Sequence, residues 1–126
     1  MTNAKAQSPN DNKRYDLEER TAQFGEAIIE LARSLTPDAV NAPLISQIVR
    51  AGTSVGANYM EADGAESRKD FRHRISICKK EAKETKHWLK MIGHANPGSR
   101  DECQTLLREA HELTLIFSSI LLPRKE

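Results

Sequence analysis

The sequence predicts an all-α protein folded as an up-down-up-down antiparallel four-helix bundle. Three observations lead there. Apolar residues recur at alternating four- and three-residue spacings in four successive stretches. Helix-starting and helix-breaking residues fall between those stretches. No segment alternates apolar and polar residues as a strand would. Rods of about 30–37 Å follow from ~1.5 Å per residue, and short connections favour antiparallel neighbours. At 126 residues the chain fits one domain. Residues 1–14 are polar and without periodicity, and are expected to be a disordered tail. Residues 15–122 are expected to be the bundle, and residues 123–126 a short C-terminal tail.

The first helix is expected to start at Asp16, with Glu19 completing a capping box. Leu17, Thr21, Phe24, Ile28, Leu31 and Leu35 form its seam, and Pro37 and Asp38 end it. The second should start near Pro43, where a missing N–H costs nothing. Its seam is Ile45, Ile48, Gly52, Val55, Tyr59 and Ala62, with Gly64 as a C-cap. Gly52 and Gly56 lie inside it at ~1 kcal/mol each relative to Ala, which implies a neighbouring backbone close by. The third has Ser67 as N-cap and the seam Phe71, Ile75, Cys78, Ala82, Thr85, Leu89 and Ile92, closed by Gly93 and Asn96-Pro97-Gly98. The fourth has a capping box of Ser99 and Glu102 and the seam Cys103, Leu106, Ala110, Leu113, Phe117 and Ile120; Pro123 stops it.

There is more apolar surface than four seams use. Residues 113–122 carry no charge, and Ile29, Ile77, Trp88, Leu107 and Leu121 lie off the seams. Two readings are open: a wide seam within one small bundle, or an interface between subunits.

Composition excludes several classes. Lys plus Arg number 19 and Asp plus Glu 18, so bulk charge does not make this a histone-like or acidic chain. The uncharged run at 113–122 is too short to span a bilayer. The polar N-terminus offers no secretory leader, and two cysteines make no disulfide framework. A reduced, cytoplasmic protein with no membrane association is the expectation.

Catalytic and metal motifs are sparse. His111-Glu112 begins H-E-x-x-H, but Leu115 stands where the second His would be. Glu84 and His87 make one Glu-x-x-His, whereas a di-iron bundle needs two. No cofactor, metal site, small-molecule substrate or catalytic residue is expected.

Two stripes remain. Gln47, Ala51, Ser54, Asn58 and Glu61 run beside the core on the second helix, with Arg50 one turn before Ser54. Arg74, Ile77, Glu81, Glu84 and Trp88 do the same on the third. Polar groups so close to a core lose ~1–3 kcal/mol each unless partnered. A network of Arg50, Ser54, Asn58, Glu61, Glu81 and Glu84, within the bundle or across a subunit boundary, is expected to be structural. The other stripe is basic. Residues 68–92 hold nine cations against three anions, a surplus of six in a chain whose total is +1. Lys69, Arg72, Lys79, Lys80, Lys83, Lys86 and Lys90 fall opposite the core seam. Such a face is either solvated and neutralised by acidic neighbours or a phosphate-backbone footprint. It lacks aromatics for base stacking, so binding would follow backbone or shape.

The segments from Arg50 through Ser54, Asn58, Tyr59 and Glu61 to Ala62, then Ser67 to Phe71, then Lys80-Glu81-Ala82-Lys83-Glu84-Thr85-Lys86-His87-Trp88-Leu89, carry a resemblance. The pattern R-x-x-x-S-x-x-x-N-x-x-E followed by E-x-x-E/T-x-x-W-L resembles the four-helix bundle proteins encoded in intervening sequences of bacterial 23S ribosomal RNA genes. Many members have Ile-Ala between the Asn and the Glu and a Gly after it; here those places are Tyr59, Met60 and Ala62. The resemblance implies a ring-shaped homo-oligomer, commonly a homopentamer, with no enzymatic activity and a role with nucleic acid. A related branch is similar to the accessory protein of diversity-generating retroelements, a pentameric barrel that binds nucleic acid and a reverse transcriptase. By resemblance Arg50, Ser54, Asn58, Glu61, Glu81 and Glu84 form the polar core. The expected function is non-enzymatic binding of RNA or DNA through the basic face of the third helix. The rivals are a protein-interaction scaffold, such as an accessory to a reverse transcriptase, and an enzyme using Glu61, Glu81 or Glu84.

Overall fold

The computed structural model describes residues 9–123, with side chains from Leu17 onward. Four helices account for most of them: α1 (Pro9–Ser34), α2 (Asn41–Asp63), α3 (Arg68–Ala95) and α4 (Arg100–Leu121). There is no strand among the described residues.

The contacts between helices establish their antiparallel order. Along α1 and α2, Thr21 meets Gly56 and Ile28 meets Gly52. Along α2 and α3, Asn58 meets Arg74, Val55 meets Cys78, and Arg50 meets Glu81. Along α3 and α4, Arg72 meets Leu121, Lys86 meets His111, and Gly93 meets Cys103. In each pair one number rises as the other falls. α3 packs against both α2 and α4, whereas α1 packs chiefly on α2 and touches α4 lightly.

The expected seams line the interior. Every seam residue of α1 is buried, as are those of α2, α3 and α4 apart from the half-buried Ile45, Phe71 and Ile120. Three buried threonines would each cost ~1–3 kcal/mol if left unpaired. Each hydroxyl instead donates to the carbonyl one turn back: Thr21 to Leu17 (2.7 Å), Thr85 to Glu81 (2.8 Å) and Thr114 to Ala110 (2.8 Å).

Helix ends differ from expectation in four places. α1 begins at Pro9, so Asp16 lies inside it, and residues 9–14 of the expected tail are helical. Proline is at home in a helix's first turn; an all-polar turn has no periodicity for a sequence reading to detect. Residues 1–8 and 124–126, assigned to the tails, lie outside the described residues. α2 begins at Asn41 rather than Pro43, because the Asp38 carboxylate accepts from the N–H groups of Val40 (3.0 Å) and Asn41 (2.8 Å). α3 runs past Gly93 to Ala95. Ser99 makes no side-chain cap; a 3-10 turn at Pro97–Ser99 leads into α4 instead. Ser67 does cap α3, its hydroxyl accepting from the Asp70 N–H (3.0 Å). The bundle end is tied by a reciprocal amide pair, Asn41 and Asn96, each donating to the other at 2.9 Å.

Off-seam apolar residues are incompletely covered in one chain. Ile29, Ile77, Trp88, Leu107 and Leu121 are half-buried. Leu115 and Leu122 remain 55% and 66% exposed.

The α1–α2 approach is tight. A Cβ built on Gly52 would lie 2.8 Å from an Ile28 side-chain carbon, whereas one on Gly98 would meet nothing within 4 Å. Overpacking costs ~1–3 kcal/mol, against the ~1 kcal/mol that alanine gains in helix propensity. Gly52→Ala is therefore expected to lower the urea midpoint. Gly98→Ala should leave it within about 0.5 kcal/mol of wild type.

Candidate nucleic-acid interface and the polar ladder beside it

α3 presents different chemistry on each flank. Toward α2, Arg50 reaches across the helix boundary. Its Nη1 donates to Glu81 Oε1 (3.2 Å) and its Nη2 to Glu84 Oε2, while its Nε donates to Gln47 Oε1 (3.3 Å). Glu84 Oε2 also accepts from Trp88 Nε1 (2.9 Å). The Glu81 side chain is only 11% exposed, so its charge is nearly stripped of water and depends on Arg50. Further along, Arg74 donates to Asn58 Oδ1 (3.2 Å), and Asn58 donates to the Ser54 carbonyl (2.9 Å). Ser54 donates to the Arg50 carbonyl of its own helix (2.6 Å). The ladder thus contains Arg50, Ser54, Asn58, Glu81 and Glu84. Glu61, placed in it from the sequence, is exposed and makes no hydrogen bond or ion pair among the described residues.

Toward α4 and solvent lie the cations. Lys69, Lys80, Lys83 and Lys90 are exposed; Arg72, Lys79 and Lys86 are half-buried. Arg72 Nη2 donates to the Leu121 carbonyl (2.7 Å). Lys86 Nζ lies 3.1 Å from His111 Nδ1; an ammonium has donors only, so it donates to the ring. Among the described residues none of these seven cations forms an ion pair. Four carboxylates of α3 and α4 are engaged elsewhere: Arg50 holds Glu81 and Glu84, while Arg20 of α1 holds Glu109 (2.7 Å) and Glu112 (2.7 Å) of α4.

The sequence does not single out Arg100, and it marks His111 only as part of an incomplete H-E-x-x-H. Arg100, Gln104, Leu107 and His111 run along one line of α4 at spacings of four, three and four. Nothing in the sequence says which face of α4 meets α3, so that spacing alone does not mark them.

Other reactive groups are placed for packing. Cys78 and Cys103 are unpaired and buried. Burial pushes the Cys78 thiol up to about 12 and raises that of Cys103, beside which Glu102 adds a smaller push. His87 is exposed and packs edge-on against Trp88. Among the described residues no three of His, Cys, Asp and Glu gather as a metal site. No described helix is long and apolar enough to cross a membrane.

These features define a class: an all-α, four-helix protein with a charged ladder on one side of its central helix and a lysine ridge on the other. The chain belongs to the 23S rRNA-intervening sequence protein family, whose pattern matches residues 13–119. It is similar to the crystal structure of a protein of unknown function from the S23 ribosomal protein family of Bacteroides thetaiotaomicron. The two are 31% identical with a TM-score of 0.76, over 86% of this chain and 97% of that one. No curated protein matches the chain.

Removing Arg50 takes the guanidinium away from Glu81, a carboxyl group that meets little water. Arg50→Ala is expected to cost about 1–2 kcal/mol, below the range for fully buried pairs because Arg50 is partly in water. Adding Glu81→Gln to that variant should restore part of the loss, as a double-mutant cycle by urea unfolding will show. Cys78, being protonated and enclosed, is expected to stay unmodified by a thiol reagent at pH 8 until the protein is denatured.

Proposed function

We propose that this protein is a non-enzymatic, homo-oligomeric module that binds RNA or DNA through the basic face of α3. The observation that supports it best is the unneutralised ridge of Lys69, Arg72, Lys79, Lys80, Lys83, Lys86 and Lys90. A charged face counts as a footprint when its own protein does not cancel it, and here four neighbouring carboxylates, Glu81, Glu84, Glu109 and Glu112, are bound to Arg50 and Arg20 instead. From Arg72 to Lys90 the ridge runs ~27 Å at 1.5 Å per residue, enough to meet several phosphates. With no aromatic side chain among these cations, recognition is of backbone rather than sequence.

The family resemblance supports a ring, commonly of five copies. The exposure of Leu115 and Leu122 and the half-burial of Ile116, Ile120 and Leu121 supply apolar surface for contacts between copies. A ring would repeat the lysine ridge and multiply its avidity. Two buried, unpaired cysteines suit a reducing, cytoplasmic setting.

The test is binding of labelled single-stranded RNA and duplex DNA across a salt series. Affinity is expected to fall steeply, with a slope of ~−0.7 to −0.9 per phosphate contact. Joint Lys79→Glu, Lys83→Glu and Lys86→Glu substitution should abolish binding while leaving the helical melting curve near that of wild type. Unchanged binding by that variant overturns the reading. A monomer by light scattering overturns the ring.

A further inference from the structure

We infer that phosphates sit in the seam between α3 and α4 rather than on the crest of α3 alone, and that a cleft at one end of this seam seats a single nucleotide's phosphate and sugar. This rests on the nucleic-acid reading above and adds α4 residues to it. Three observations converge. First, the ridge leans toward α4: Arg72 donates to the Leu121 carbonyl and Lys86 to His111. Lys79, Lys83 and Lys90 fall on the same line at helical spacings between and beyond them.

Second, a cleft of about 250 Å³ opens where α3 ends and α4 begins. Lys90 and His94 of α3 and Arg100 and Gln104 of α4 form its walls, and Leu89 and Leu107 are among its apolar lining. The Arg100 guanidinium spans it, donating to the Gly93 carbonyl (3.4 Å) and keeping further donors. A planar guanidinium matches a phosphate's paired oxygens better than an ammonium does. The leucines suit a sugar or base edge rather than a bare ion. The volume lies just below the ~300–1,000 Å³ of drug-sized sites, which fits one nucleotide unit.

Third, no carboxylate lines the cleft. Glu109 and Glu112 of α4 are held by Arg20 on the α1 side, and Glu81 and Glu84 of α3 by Arg50 on the α2 side. The side chains that line the cleft are cationic, neutral or apolar on both walls, with the Glu102 carboxylate beside Cys103. On the crest an anion would meet cations on one side.

The test compares two charge reversals on α4 with identical net charge. Arg100→Glu alters the cleft. Arg108→Glu alters an exposed position outside it, where among the described residues Arg108 bonds only to Thr105 of its own helix. With labelled single-stranded RNA, Arg100→Glu is expected to weaken binding at least tenfold and to shallow the salt slope by about one. Arg108→Glu should change affinity by less than threefold. Gln104→Glu, which removes no interhelical hydrogen bond, should weaken binding as Arg100→Glu does, covering the case in which loss of Arg100 disturbs the fold. If both cleft variants bind as Arg108→Glu does while the lysine triple variant is inactive, the seam is overturned and the α3 reading stands. If wild type binds no RNA, or the lysine triple variant still binds, the α3 reading falls and takes the seam with it.

Discussion

The rotation of α3 about its own axis is the constraint on which the other features depend, and the link from Arg50 to Glu81 and Glu84 holds it. α3 packs along its length against both α2 and α4, the two most extensive helix pairings in the bundle. It is also the most cationic, so a turn of one residue would carry lysines toward the core. Burying an unpaired ammonium costs several kcal/mol. The apolar seam from Ile75 to Ile92 sets the rotation coarsely through burial. The guanidinium-carboxylate link sets it finely, because charged hydrogen bonds are directional where apolar contacts are not. Cys78, close-packed beneath the Val55 carbonyl, and Arg74 on Asn58 repeat the same register further along.

Charge segregation follows. Once Glu81 and Glu84 face α2, the α4 side of the helix is left to lysine and arginine. On the opposite side of the bundle, Arg20 gathers Glu109 and Glu112, so α4 also shows its cationic and neutral residues to α3. The near-zero net charge of the chain conceals a basic face on α3, and it is the face, not the total, that a polyanion encounters.

Close approach sets the geometry of the remaining pair. Gly52 lets Ile28 sit against the α2 backbone, and a Cβ on Gly56 would lie only 3.3 Å from the Thr21 hydroxyl. The helix propensity sacrificed at these glycines is recovered as packing between α1 and α2. α1 in turn reaches α4 mainly through Arg20, a looser attachment than the packing it makes with α2.

The seams were legible residue by residue, because a 3.6-residue period needs only the order of side chains along one helix. Leu17 to Leu35 and Ile75 to Ile92 required no knowledge of a neighbour. The class of the ladder was legible too, since Arg50, Asn58, Glu81 and Glu84 sit at the edge of those seams. Helix ends were less so: Asp38 caps a helix by folding back, and residues 9–14 have no apolar face to reveal them. Membership of Glu61 in the ladder and of Arg100 and His111 beside the lysines turned on how far one helix is slid and rotated against the next. That offset is decided by side-chain fit, by glycine contacts and by directional ion pairs between residues distant in the chain. Sequence alone determined which faces are greasy and which charged; only the packed bundle decided which charged faces meet.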